Sequence, residues 1–235
     1  MIDHSNFLIS NRTADPLDWQ VQCVCEKKCN NGWMRELDQK AAPVLELLFS
    51  GRCERLTTEE QSIVASWASM KAIVAEYENP EEISTHHMHR KRFFRRQLPP
   101  EKGWAVWIGY FPRETFEPKY FTAPFLYVRP EILAKRVSTR ANYFNSAITT
   151  LVIGLLFIQV LWAPKRFGVH DIIYPVFPEG GMLQRIWPPN KYSLKWPPAH
   201  LSTLDANTAT VSLRNIISGN AKNTFFRHGI DDNKN

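Results

Sequence analysis

The chain contains no Walker-type phosphate loop, no Gly-x-Gly-x-x-Gly turn and no Gly-x-Ser-x-Gly elbow. Nucleotide-binding α/β folds and serine hydrolases therefore lack their chemical signatures here, and no small-molecule cofactor is expected. The first residues, Met-Ile-Asp-His-Ser-Asn, carry neither a basic nor an apolar leader pattern, which predicts no secretory signal and a cytoplasmic location. Internal repeats and low-complexity tracts are missing. Cysteine is confined to four positions, Cys23, Cys25, Cys29 and Cys53, all on the N-terminal side. That distribution does not read as a disulfide framework and suits a reducing compartment.

What is present supports a substantial core. Hydrophobic residues make up 44% of the 235-residue chain, which excludes global disorder. Lys and Arg total 29 against 23 Asp and Glu, a formal charge of +6, compatible with a nucleic-acid partner. The longest apolar run, 147–163, has no charge and lies between Arg140 and Lys165-Arg166. It falls short of the about 20 apolar residues of a spanning helix. Its β-branched residues, Gln159 and Gly154 predict a buried strand, or two strands broken at Gly154. A membrane-attached protein using 147–163 is the lesser alternative.

Three cysteines fall within Cys23-Val24-Cys25-Glu26-Lys27-Lys28-Cys29, and an Asn-Asn-Gly turn follows at once. Thiolates this dense suggest a metal knuckle, or one descended from it. Cys23, Cys25 and Cys29 leave a tetrahedral zinc site incomplete, so clearly less than one structural Zn²⁺ per chain is expected. Cys53 could complete the set only by folding back.

Cys29-Asn30-Asn31-Gly32-Trp33-Met34, followed by an acidic-basic helix and a Leu-rich one, resembles the second half of a bacterial and phage HNH endonuclease-type family. Weaker likeness continues through Trp67-Ala68 and Tyr77-Glu78 to Gly103-Trp104. The resemblance implies a ββα-metal finger, an acid-His pair on its first strand, and DNA as the partner. Asp3-His4 is the upstream candidate pair, with Asn30 at the helix start. In such a site a carboxylate and Asn30 would hold Mg²⁺ or Mn²⁺, and neutral His4 would take a proton from the attacking water. The sequence departs from the pattern in two ways. Cys25 and Cys29 are separated by three residues, and no Cys-x-x-Cys precedes them. With the first finger strand cut short, we expect DNA binding with at most feeble metal-dependent phosphodiester cleavage. A non-catalytic nucleic-acid-binding or structural protein of the same fold is the other alternative.

The rest of the chain predicts an α+β protein. Its N-terminal part is a partial ββα, zinc-knuckle-like segment with helices, and a mainly antiparallel sheet and a C-terminal helix follow. The expected divisions are 1–50 for the knuckle and first helix, 51–100 for a helical segment, 101–219 for the α+β core and 220–235 for a tail. Residues 7–24 read as an extended arm or hairpin. A helix should start near Trp33 and stop at Pro43, which would open a second short helix burying Leu45, Leu47, Leu48 and Phe49. Thr57 and Glu60 form a capping box for a helix to about Tyr77, with Ile63, Val64, Trp67, Met70, Lys71 and Val74 as its apolar stripe.

Residues 84–97 suit a helix with Met88 and one or both of Phe93 and Phe94 as anchors. Arg90, Lys91, Arg92, Arg95 and Arg96 make it strongly basic, and phosphate contact is the expected use. Trp104 to Tyr110 and Tyr120 to Val128 read as strands, and Pro130 to Val137 as a short helix. Met182–Trp187 and Tyr192–Trp196 suggest a hairpin, and Ser202–Ile217 a final helix.

Overall fold

The computed structural model describes residues 29–78, 83–112, 119–125, 146–163, 181–207 and 209. Asp3, His4, Cys23, Cys25, the 7–24 arm, the expected helix at 130–137, most of the final helix and the tail lie outside them. The described residues form an α+β fold, helices first and an antiparallel sheet after.

A wide turn at Asn30–Met34, non-helical at Gly32, leads into α1, Arg35–Phe49. Pro43 does not break α1, contrary to expectation. Its missing N–H would have bonded Gln39 four residues back, and both residues are exposed, so the orphaned carbonyl lies on the solvent side. The apolar face of Leu37, Ala41, Val44, Leu45 and Leu48 holds the helix together across that defect, whereas Leu47 points out. Gly51, at φ +69°, ends α1 in a Schellman arrangement. Arg52 N donates to the Leu47 carbonyl (2.9 Å) and Gly51 N to that of Leu48 (3.2 Å).

After the short strand β1, Arg55–Leu56, helix α2 spans Thr58–Ala75 and ends in a tight turn at Glu76–Glu78. The capping box is realised: Glu60 N donates to Thr57 Oγ1 and Thr57 N to Glu60 Oε2. Burial runs around much of α2 rather than along one stripe, because Ala65, Ser66, Ala68, Ser69 and Ala72 are small enough for close approach. Ile63, Lys71 and Val74 are only half-buried. Helix α3 is His87–Arg96.

The main sheet contains β2 (Trp104–Tyr110), β3 (Lys119–Phe125), β4 (Ser146–Ile153), β5 (Leu156–Trp162) and β6 (Leu183–Trp187), in the order β3-β4-β5-β2-β6. All neighbours are antiparallel. The long apolar run is the β4–β5 hairpin, turning at Gly154-Leu155 with Ile153 opposite Leu156. Gly154 takes φ +56° at the first turn position, where a side chain would be strained. No helix among the described residues is long and apolar enough to cross a membrane.

Both faces of the sheet are covered. Val106, Ile108, Ile158, Val160 and Trp162 share one cluster with Leu48, Trp67 and Phe93, so segments on either side of residue 100 share a core. On the other face Trp107, Ile148, Phe157 and Leu161 meet Leu201, Ala206 and Ala209. The expected hairpin of 182–187 with 192–196 does not form. Strand β6 pairs with β2, and β7, Leu194–Lys195, pairs with β1. Gln61, fully buried, pulls the connection across to α2: its Nε2 donates to the Tyr192 carbonyl (3.0 Å) and its Oε1 accepts from Asn190 N (2.9 Å).

Candidate nucleic-acid interface

The basic helix α3 is seated by a small polar network that begins at the end of α2. Glu76 is buried there and accepts from both the backbone N–H and the hydroxyl of Ser84 (3.2 and 3.0 Å) and of Thr85 (2.9 and 2.7 Å). Burial pushes its carboxyl pKa up, and the Thr85 and Ser84 hydrogen bonds pull it part of the way back. The Ser84 carbonyl in turn accepts from Trp162 Nε1 in β5 (3.2 Å), and the Thr85 carbonyl from Arg90 (2.8 Å). These two residues thus tie α2, the sheet and α3 together.

Local chemistry then shapes α3. His86 caps its start, Nδ1 accepting from Met88 N at 3.3 Å. Gln97, left-handed at φ +53°, ends it two residues before Pro99. Phe93 is the core anchor, 2% exposed, and its ring meets Trp33 edge-on at 5.9 Å. Met88, expected to be buried, is 56% exposed, and Phe94 is 51% exposed. One helical turn from Phe93, His89 lies against Trp162 with ring centroids 4.3 Å apart. Burial, then the neighbouring His86 and Arg92, lower its pKa, which favours the neutral imidazole.

The five cations divide by position. Arg90 is half-buried, bonded to Thr85 and set over the Tyr77 ring at 5.4 Å. Lys91, Arg92, Arg95 and Arg96 are exposed. The helix contains no acidic residue, and the ion pairs among the described residues, Arg52–Glu46 and Lys71–Asp38, lie elsewhere. Four positive charges therefore face water with no carboxylate among the described residues to neutralise them. Trp33 links the Cys29–Met34 turn to this helix through Phe93 and Phe94, and Asn30 and Asn31 in that turn are exposed.

The predicted metal donors are not assembled among the described residues. No three His, Cys, Asp or Glu side chains converge there. Cys29 is disulfide-bonded, in contrast to the thiolate expected of a knuckle in a reducing compartment. Cys53 is a buried free thiol at the far end of α1, whose fifteen residues separate it from Cys29 by roughly 20 Å. Its Sγ bonds the Arg55 carbonyl, so it does not fold back to complete the knuckle.

Sequence reasoning missed Glu76, Trp162 and the edge-on contacts of Trp33 with Phe93 and Phe94. The one local signal was the Ser84-Thr85 pair, two hydroxyls before a helix. Trp67, part of the weaker family likeness, is structural: its Nε1 donates to Asp38 (2.8 Å) and joins α2 to α1. Comparison with family models, curated proteins and solved structures yields no significant match for this chain.

Proposed function

We propose that this protein binds DNA through α3 and the adjoining Cys29–Met34 turn, as a relative of HNH-type endonucleases whose cleavage is lost or feeble. The observation that carries the proposal is the set of four exposed cations, Lys91, Arg92, Arg95 and Arg96, with no carboxylate paired to them among the described residues, on a helix pinned by Phe93 and the Glu76 network. A helix already seated need not be ordered on meeting a phosphate backbone, and the counterions its cations displace from the nucleic acid provide sequence-independent affinity. Asn30 and Asn31, exposed in the turn whose Trp33 contacts α3, are taken as part of the same surface. Cleavage would require Mg²⁺ or Mn²⁺ on Asn30 and the Asp3-His4 pair. The described donors alone do not make such a set, so the proposal rests on binding.

The test is duplex affinity measured by fluorescence anisotropy from about 50 to 200 mM salt. Replacing Arg92, Arg95 and Arg96 together with Ala should weaken binding to all sequences alike. It should also flatten the slope of log affinity against log salt by about 0.9 for each phosphate that the variant no longer neutralises. Far-UV circular dichroism should be unchanged. A wild type that binds neither duplex nor single-stranded DNA at low salt would remove the proposal. With Mg²⁺ or Mn²⁺ added, at most faint nicking is expected; robust cleavage abolished by His4→Ala would make the protein an active nuclease.

A further inference from the structure

Phe94 has no place in the core, yet it is not loose. It is 51% exposed and meets Trp33 edge-on at 5.9 Å, and the same indole also holds Phe93. Trp33 is itself partly exposed. At about 100° per residue, Phe94 lies on one flank of α3, with Lys91 and Arg95 on the outward side next to it. An exposed aromatic ring backed by an indole and bordered by exposed cations matches the two chemistries of an unpaired nucleotide, a flat base and a phosphate.

We infer that Phe94, supported by Trp33, is a stacking platform for an unpaired base, so that this interface takes single-stranded or locally opened nucleic acid in preference to intact duplex. The inference rests on the assignment of α3 as a nucleic-acid-binding helix and names its ligand class. An intact duplex presents phosphates to Lys91 and Arg95 but offers no base face to Phe94 unless a step is unstacked. An anionic membrane fits less well. Met88 and Phe94, the exposed apolar residues of α3, project about 120° apart with Lys91 and Arg95 between them, so they form no continuous apolar face.

The experiment compares the full chain with its Phe94→Ala and Phe94→Leu variants. Each is titrated onto a labelled oligothymidine of about 16 nucleotides, the same oligonucleotide with abasic sites, and a duplex of equal length. Phe94→Leu retains bulk against Trp33 but has no π face, so it decides the outcome if Phe94→Ala is poorly folded. Removing the ring should weaken single-strand binding roughly tenfold, within the range for one stacked base, and duplex binding less than about twofold. The salt slope should not move, and wild type should bind the abasic strand as weakly as the variants bind the intact one. If both substrates bind and Phe94 matters equally, or not at all, to each, the stacking inference fails while the binding role of α3 stands. If neither binds, that role fails and the inference falls with it. Phe94-dependent binding to phosphatidylserine vesicles without binding to oligonucleotides would make the surface a membrane contact instead.

Discussion

Glu76 is an acid placed where the fold needs an acceptor. Four donors from Ser84 and Thr85 converge on it, and burial still leaves its pKa raised. Truncation by Glu76→Ala would strand those donors in a dry site, a loss of about 3 kcal/mol. Glu76→Gln would lose less, because its carbonyl can still face the two backbone N–H groups. The two substitutions also differ in pH response. A carboxyl whose pKa is higher folded than unfolded contributes stability that is complete below the unfolded value, near 4.5, and lost as pH rises through the folded value. A glutamine has no such loss. In thermal melts from about pH 4 to pH 8, Glu76→Gln should therefore gain on the wild type as pH rises. A gap that stays constant would mean that Glu76 ionises in the fold as readily as in the open chain.

At the scale of elements, α3 is a short, highly charged helix with a single fully buried anchor, Phe93. Phe→Ala at such a site removes about 3–5 kcal/mol of packing, and a peripheral helix can detach before the core melts. Trypsin should then cut Phe93→Ala within 90–96 much faster than wild type under native conditions; an unchanged cleavage rate would show that the Glu76 network alone seats the helix. The basic composition and existence of α3 were legible in the sequence, and so was the Thr57–Glu60 capping box, because both are local. Which way α3 faces was not. Met88 and Phe94 are as apolar as Phe93, and only the packing of distant segments into the cluster that takes Phe93 decides among them. Pro43 misled for a related reason: propensity marks it as a stop, but the apolar face of α1 outweighs one missing hydrogen bond on the solvent side. Replacing it by Ala should stabilise the protein by about 1–3 kcal/mol in urea titrations; a loss of stability would show that the ring packs usefully where it stands.

For the whole molecule, helices and sheet close on one cluster reaching from Leu37 to Trp196. Helical circular dichroism and tryptophan emission should consequently follow one denaturation curve, whereas separated midpoints would indicate that a division near residue 100 is energetically real. The strands of the main sheet, with a break at Gly154 as one of two readings, could be read from the chain, since β-branched runs and a lone glycine are short-range signals; β1 could not. The partnering of β7 with β1, and the Glu76–Ser84–Trp162 connection, join residues far apart in sequence and were beyond any local pattern. Trp162 and Trp33 touch α3 from two sides, one carrying His89 on its ring and the other held between Phe93 and Phe94. The molecule thus has its own optical gauge: a ligand that shifts or covers α3 changes the quenching of these two indoles, and occupancy can be followed by intrinsic emission with no dye attached.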